Sequence, residues 1–459
     1  MRTRGSRTVA LRLGIAVMTA ALAALAITTM ASASPAATAK KTTCFNKSGS
    51  IRFFAAEDTK AVIGTEIGPA GVNGTNAWIA YTNAHGGIAG CQVGWDVVDE
   101  AFGNDVTTCL RAYRNAIASK KYDFFVGPTN SACMAALPSL TGAAGKPLMA
   151  GIAADHQPFM EAYGPYNFHG SVSTFLEGRG SAVAAKQLGW KSAALMVPNY
   201  AYGQDAGKAF QSQFKKDGGK ITTQQEPPFD EKDFSKYINA MIAGHPDGIF
   251  TAFFGGLIPP FWKQWIGSGN AGKVGLISGL TVLATAQVTK TPADIPTGAL
   301  GYNRAPWQLL SKTTIGAALS ALYLKANPKE FYVSEFAYQM MNALQFAKAL
   351  IEKTNSVQGK DWQTAVETGD FSFAGVYHNG PTYVNPVNHM ADNCVTVGKM
   401  IWNAKAPAGF QATMDPKSFV VTCMDDILDA KEAVLLTPKN KTVKQAAIDK
   451  YYSIKKPRN

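Results

Sequence analysis

Short, mostly apolar segments alternate with longer segments of helical periodicity from residue 51 to about residue 279, and this alternation constrains the fold most. A strand that is apolar at nearly every position is buried on both faces, which is typical of parallel sheets with helices on either side. The apolar runs are IRFFAA (51–56), CQVGWDVVDEA (91–101), DFFVG (123–127), KPLMAG (146–151), KSAALMV (191–197), GIFTAFF (248–254) and KVGLISG (273–279). The sequence therefore predicts an α/β fold with doubly wound parallel sheets.

The pattern occurs twice along the chain, with an offset of roughly 130 residues. GAAGKPLMAG (142–151) and GNAGKVGLISG (269–279) each follow a predicted helix and lead into a strand. NAHGG (83–87) and KKDGG (215–219) each end an earlier helix. An offset this long indicates a duplicated lobe and not a solenoid repeat. Two such lobes leave a cleft at the carboxyl ends of their strands, where ligands bind in doubly wound sheets.

The two ends of the chain carry distinctive charge. Four arginines within the first 12 residues precede an apolar stretch, and Ala31-Ser32-Ala33 follows as a small-residue cleavage site. We therefore predict a signal peptide over residues 1–33 and an exported protein that is periplasmic, cell-wall-associated or secreted; an uncleaved anchor is the alternative. Basic residues between Lys439 and Arg458 form a tail. This tail either contacts a polyanionic surface or is simply solvated.

All six cysteines lie beyond the predicted cleavage site, and an even number in an oxidising compartment predicts disulfides. Six cysteines allow fifteen pairings. Neighbourhood along the fold favours the pairs Cys44–Cys91, Cys109–Cys133 and Cys394–Cys423. No CxxC or HxxxH spacing occurs, so we predict no metal site.

The order of several motifs resembles the type I periplasmic-binding fold, specifically the leucine/isoleucine/valine-binding family of ABC importer receptors. The motifs are GPAGVNGTNAWIAYTNAHGGIAG (68–90), YDFFVGPTNSACMAALPSLTGAAGKPLMAG (122–151), ALMVPNYAYGQDAGKAFQSQFKKDGGKI (194–221) and PPFDEKDFSKYINAMIAGHPDGIFTAFFGG (227–256). The resemblance implies two lobes joined by three crossings of the chain, near Gly170, Gly298 and Gly375. It assigns residues 48–170 plus 300–373 to lobe 1, residues 171–299 plus 374–405 to lobe 2, and residues 406–459 to a C-terminal extension that ends in the basic tail.

The resemblance also implies a ligand site. Ser131 begins a helix directly after a strand, where backbone N–H groups and the positive helix end suit a carboxylate or another acceptor. The alternative is that Asn130 or a neighbour simply caps the helix. In the family, the loop after the next strand also helps to hold the ligand carboxylate. Here that loop contains Ile152 and Ala154, and Ala154 replaces the family's threonine, so we expect the loop to contribute backbone donors only. Tyr202 matches the tyrosine that closes over the ligand from the second lobe.

Other family positions depart from the pattern of amino-acid binders. Leu280 falls near the place of the acidic residue that holds a ligand ammonium, and Leu257 replaces a family tyrosine. A buried ammonium without a partner costs several kcal/mol, so an ordinary α-amino acid requires an acid from elsewhere. The acids considered for this role are Asp155, Glu177 and Asp205. The ligand classes that remain are therefore a branched-chain amino acid-like solute, a related carboxylate and an amide.

Features of enzymes are weak in this sequence. GSGNAGK (267–273) lacks the Ser or Thr that follows the lysine of a P-loop, and no GxSxG motif occurs. We therefore predict a binding protein without catalytic residues or cofactor. Its partners are a small-molecule ligand and an ABC permease with its ATPases; we predict a monomer and no nucleic-acid partner. The alternatives are a sensor module of the same fold and, less favoured, a secreted hydrolase.

Overall fold

The structure is a computed structural model that describes residues 44–45, 49–62, 67–103, 105–153, 164–280, 289–435, 443–454 and 456. The predicted signal peptide lies outside these residues. The described part has the predicted α/β architecture, with two large sheets in which parallel pairing dominates. Among the helices that the structure describes, none combines the length and the apolar character that a membrane crossing requires.

The first sheet has five parallel strands in the order β2-β1-β3-β4-β5. Its strands are β1 (Ser50–Glu57), β2 (Gln92–Asp99), β3 (Phe124–Val126), β4 (Leu148–Ala150) and β5 (Asn167–His169). Helices α1 (Gly68–Ala84), α2 (Thr107–Ser119) and α3 (Ser131–Ala143) follow the first three strands. β1 and β3 are buried almost throughout because their apolar side chains meet helices on both faces of the sheet.

The second sheet continues the alternation with five parallel strands. They are β6 (Ser192–Met196), β7 (Lys220–Gln225), β8 (Gly248–Thr251), β9 (Gly275–Leu280) and β10 (Ala299–Asn303), in the order β7-β6-β8-β9-β10. The helices of this lobe are α4 (Thr174–Gln187), α5 (Ala201–Lys216), α6 (Ser235–Ile242) and α7 (Ile258–Gly267). Glycine begins both β8 and β9 because Trp190 covers them: a Cβ on Gly248 would lie 2.1 Å from the indole ring.

The chain then returns to the first lobe before it completes the second sheet. The returning elements are α8 (Trp307–Leu310), α9 (Thr314–Ala326), α10 (Glu335–Thr354), α11 (Gly359–Val366) and the hairpin β11 (Ser372–Ala374)–β12 (Pro381–Tyr383). The longest of these helices, α10, begins at Glu335, where the Ser334 hydroxyl caps it. α10 packs against α1 and β4 of the first lobe.

The last elements follow the third crossing. They are β13 (Cys394–Trp402), β14 (Ala412–Met414), β15 (Val420–Cys423), α12 (Met424–Ile427), α13 (Ala430–Leu435) and α14 (Gln445–Ser453). β13 pairs antiparallel with β10, β14 and β15. In sheet membership, residues 300–303 lie in the second sheet, and residues 412–423 of the predicted extension add two strands to it. The wider division of the chain into lobes stays a prediction.

The chain passes between the two sheets three times, after β5, β10 and β12, and the crossings pack against one another. Asn342 of α10 donates to the Gly170 carbonyl at 2.6 Å, and Asn393 of the third crossing donates to the same oxygen at 3.1 Å. A Cβ on Gly170 would lie 2.6 Å from the Ala343 Cα. Close packing against α10, and not backbone freedom, is therefore what requires glycine at the first crossing.

Three disulfides join neighbouring elements, in the pairing that neighbourhood along the chain favours. Cys44–Cys91 ties the segment before β1 to the start of β2, and Cys109–Cys133 joins α2 to α3. Cys394–Cys423 links two residues that face each other on β13 and β15.

Candidate functional site

The N-terminus of α3 lies at the cleft because β3 ends at Val126 and the chain turns into the helix within four residues. Asn130 caps this helix: its Oδ1 accepts from the Ala132 and Cys133 amides at 2.9 and 3.2 Å. Its Nδ2 donates to the Gly103 carbonyl at 2.7 Å, so the side chain is fully engaged in holding the turn. Asn130 therefore orients the helix end, and Ser131 is the residue that reaches the cleft.

A small cavity of about 30 Å³ lies between the lobes at this helix end. That volume accommodates about two water molecules. The walls come from both lobes and from the returning helix α10. The lining residues are Ile67, Phe102, Thr129, Ser131, Ile152, Tyr200, Tyr202, Phe254, Arg304 and Phe336. Five of these ten side chains are aromatic and one, Arg304, is charged, so the cavity combines flat apolar walls with a single cationic group.

Tyr200 connects the two lobes across the cavity. Its hydroxyl accepts from the Ser131 amide at 2.9 Å and donates to Asn130 Oδ1 at 2.9 Å. Its ring packs against Phe102 of the first lobe and Phe254 of the second, with centroids 5.9 Å apart in both cases. The Tyr200 hydroxyl therefore accepts from the Ser131 backbone N–H at the start of α3, the donor that the sequence predicts for a ligand acceptor.

Tyr202, the tyrosine that the sequence singles out, also lines the cavity, and its hydroxyl meets Tyr302 and the Arg304–Glu177 pair. Its hydroxyl lies 2.7 Å from the Tyr302 hydroxyl, and its ring meets Phe254 edge-on at 5.3 Å. The segment NYAY places two tyrosines two residues apart. Motif position alone singles out Tyr202, and sequence reasoning missed Tyr200.

Arg304 is the other residue that sequence reasoning missed. It follows β10 at the second crossing and forms a buried ion pair with Glu177 of α4; the two side chains are 3% and 0% exposed. Arg304 Nη1 donates to the Ile152 carbonyl at 2.8 Å and to Gln339 Oε1 at 3.3 Å. Burial raises the pKa of Glu177, while the neighbouring guanidinium opposes that rise. Arg304 thus joins both lobes and α10 at the cavity wall.

Glu177 is one of the three acids considered for holding a ligand ammonium, and here it is already paired with Arg304. Asp205 is buried on α5 and is not among the lining residues, and Asp155 lies outside the described part of the chain. No acidic side chain is therefore among the described residues that line the cavity.

The loop after β4 differs from the sequence expectation. The Ala153 amide donates to the Pro128 carbonyl at 3.1 Å, and the Ile152 carbonyl accepts from Arg304. This stretch therefore presents an acceptor and an apolar side chain to the site where backbone donors were predicted. Ala154 lies outside the described residues, so its predicted role stays untested.

The two leucines that replace polar family positions do not add polar chemistry. Leu257 is buried in the second lobe's core and is not among the lining residues. Leu280 ends β9, and its side chain lies outside the part that the structure describes.

Two carboxyl groups lie behind the first-lobe wall of the cavity. Glu57 Oε2 accepts from the Thr129 hydroxyl at 2.6 Å, and Glu100 Oε2 accepts from the Asn130 amide at 3.2 Å. Burial raises the pKa of Glu57 to about 8 and that of Glu100 well above its ordinary value. Glu57 is therefore largely protonated at neutral pH, and the pair adds little negative charge to the site.

Within the described residues, no group of three or more His, Cys, Asp or Glu side chains is arranged to hold a metal ion. The arrangement at the cleft is suited to enclosing a small molecule: two sheet-built lobes, a helix N-terminus, aromatic walls and a buried guanidinium.

Comparison with known proteins agrees with this architecture. A sequence profile described as "Periplasmic binding protein" matches residues 55–406. A search of curated protein sequences finds no match.

Solved structures resemble the chain in fold. A solute-binding protein of an ABC transporter from R. palustris, solved with 4-hydroxybenzoate, is 21% identical with a TM-score of 0.67; the match covers 82% of this chain and 98% of that one. An amino acid ABC transporter substrate-binding protein from Pseudomonas fluorescens Pf-5 is 17% identical with a TM-score of 0.68, and 81% and 96% are covered. A periplasmic binding protein from Burkholderia mallei is 15% identical with a TM-score of 0.71, and 86% and 98% are covered.

The profile spans most of the chain, and the matched structures share its two-lobed α/β architecture. The chain therefore belongs to the periplasmic binding protein family, and it has the type I fold of the substrate-binding proteins of ABC transporters.

Proposed function

We propose that this chain is the extracytoplasmic substrate-binding component of an ABC importer, and that its cleft takes a small solute with a flat apolar body that carries a carboxylate or amide group. The observation that carries the ligand class is the cavity between the lobes, which is lined by five aromatic side chains and by Arg304, itself paired with Glu177 behind the wall. Aromatic walls favour a planar apolar ligand through offset or edge-on contacts.

The charge distribution argues against an ordinary α-amino acid. An ammonium group needs a carboxylate partner when it is buried, and Glu177 is already neutralised by Arg304. A carboxylate or an amide oxygen has donors to use, namely the guanidinium and the Ser131 hydroxyl. The R. palustris protein with 4-hydroxybenzoate and a second one with benzoate have the same fold, which agrees with this class.

We infer that the ligand is captured by lobe closure. The cavity of about 30 Å³ is smaller than a benzoate-sized ligand, so the lobes must part to admit the ligand and close again over it. The outer surfaces of the closed lobes would then face the membrane permease. We propose that the protein works as a monomer after removal of residues 1–33, which mass spectrometry of the mature N-terminus tests.

A thermal-shift and calorimetry screen tests the ligand class. We expect benzoate, 4-hydroxybenzoate or benzamide to raise the melting temperature by a few degrees at about 100 times the dissociation constant, where the stabilisation is about 2.7 kcal/mol. Leucine should produce no shift. A shift with leucine alone would contradict the proposed class.

A matched pair of variants locates the binding site. Phe254 lines the cavity, whereas its neighbour Phe253 packs away from it against Phe234 and Phe261. Both Phe254→Leu and Phe253→Leu remove a buried ring and lower stability, but only Phe254→Leu should weaken ligand binding. Equal affinities in the two variants would place the ligand elsewhere.

A further inference from the structure

The Arg304–Glu177 pair is a complete charge pair inside the wall of the cavity. The two terminal nitrogens of the Arg304 guanidinium are held unequally. Arg304 Nη1 is held by two neutral acceptors, the Ile152 carbonyl and Gln339, while Nε donates to Glu177 Oε1 and Nη2 lies 3.5 Å from Glu177 Oε2, at the long limit of a hydrogen bond. The neutral acceptors keep Nη1 bonded when Glu177 is protonated, and Nη2, which has the longest contact with Glu177, is the donor that another carboxylate can take over most easily.

A ligand carboxylate that enters this site meets a neutral pair. A second anion beside one guanidinium leaves one buried negative charge without a partner, which costs several kcal/mol, and a buried group in that position takes up a proton instead. The other titratable groups near the pair are Tyr202, Tyr302, Tyr377 and Glu335. The three tyrosines stay neutral because burial raises their pKa values well above 10. Glu335 accepts from the Arg304 backbone amide at 2.8 Å, and its charge also acts on the guanidinium.

We propose that a ligand carboxylate binds to Arg304 together with one proton, which Glu177 takes up, so that the closed cleft stays neutral. The proposal rests on the proposed function, since it requires that the ligand be a carboxylate held in this cleft. The exchange balances: the Arg304–Glu177 ion pair is replaced by an Arg304–ligand ion pair, and one proton passes from solvent to the Glu177 carboxyl. A neutral amide ligand requires no proton.

The direction of the pH dependence follows from this exchange. Burial raises the pKa of Glu177, and Arg304 lowers it. When Arg304 turns to the ligand, the lowering is lost and the ligand charge raises the pKa further. Between the pKa values of the free and the bound protein, each additional pH unit weakens carboxylate binding about tenfold, because one proton is bound with each ligand. Below that window Glu177 is already protonated and the affinity is constant.

Isothermal titration calorimetry on the full-length mature protein tests the proposal with benzoate and benzamide, two ligands of the same shape. Titrations run from pH 6 to pH 9, and at each pH in two buffers of different ionisation enthalpy, so that the protons taken up are counted directly. Between the Glu177 pKa values of the free and the bound protein, we expect about one proton per benzoate and none per benzamide, and a dissociation constant that rises about tenfold per pH unit for benzoate alone. Benzoate binding with no proton uptake at any pH would overturn the proposal.

Two variants identify the group that takes up the proton. Glu177→Gln should bind benzoate without proton uptake, whereas Glu335→Gln should retain the uptake whatever its affinity. Uptake that persists in Glu177→Gln would overturn the assignment to Glu177, and loss of the uptake in Glu335→Gln alone would assign the proton to Glu335. If Glu177→Gln does not fold, the two-buffer comparison on the wild-type protein still decides whether a proton is bound.

The same titrations separate this inference from the proposed function. Binding of benzamide without benzoate, or of benzoate without a proton, leaves the binding function in place and overturns the proton exchange. Binding of none of the aromatic ligands rejects the ligand class and the exchange together.

Discussion

Replacing Tyr200 with phenylalanine removes the hydroxyl that joins the lobes at the cavity. In the wild-type protein this hydroxyl accepts from the Ser131 amide and donates to Asn130 Oδ1, both at 2.9 Å, and all three groups are buried. Asn130 Oδ1 keeps its two helix amides in the variant, but the Ser131 amide loses its partner. A buried donor without a partner costs about 1–3 kcal/mol, and the lost bonds bring the change to about 2–3 kcal/mol.

Because both bonds exist only when the lobes meet, this free energy is lost from the closed form alone. The ratio of closed to open protein should therefore fall by about 30- to 150-fold. Small-angle X-ray scattering checks this. If the ligand-free wild-type protein is mostly closed, the ligand-free variant should have a larger radius of gyration. The ligand dissociation constant should rise by the factor by which the closed fraction of the ligand-free protein falls, provided that the ligand-bound form keeps the two Tyr200 bonds.

Tyr202→Phe is the matched control. It also removes a buried tyrosine hydroxyl, but this one lies 2.7 Å from Tyr302 of the same lobe, and its other partners, Glu177 and Arg304, remain paired with each other in the variant. The variant should lower the melting temperature and leave the radius of gyration unchanged. If Tyr200→Phe retains both the wild-type radius of gyration and the wild-type affinity, the tyrosine does not hold the lobes together.

Two further predictions concern stability. Burial raises the pKa of Glu57 to about 8 from an ordinary value of 4.5, so its contribution to stability is fully present below about pH 4.5 and is lost as the pH rises through 8. Glu57→Gln should therefore flatten the fall in melting temperature between pH 6 and pH 9. An unchanged pH profile would contradict the raised pKa. The Cys109→Ala/Cys133→Ala double variant opens a loop with a sequence separation of 24 residues and should lose about 3 kcal/mol in chemical denaturation, whereas a wild-type midpoint would show that the bond does not stabilise the fold.

Much of the fold could be predicted because its signals are local. The apolar runs at Phe124–Val126 and Gly248–Thr251, for example, identify buried parallel strands within a few residues of their observed limits. The favoured disulfide pairs join residues 24 to 47 positions apart, so neighbourhood along the chain was enough to select them. Ser131 was located at the cleft for the same reason: a strand followed at once by a helix puts the helix end at the edge of the sheet.

By itself the sequence determined the two sheet-built lobes, the place of the cleft and one helix end that borders it, because hydrophobic periodicity and turn residues act over short stretches of chain. Only the tertiary structure decided which side chains meet at that cleft. Arg304 meets Glu177 across 127 residues, and Tyr200 meets Ser131 across 69. Contacts of this kind depend on how the lobes pack and where the crossings run, and no local pattern of residues encodes that distance.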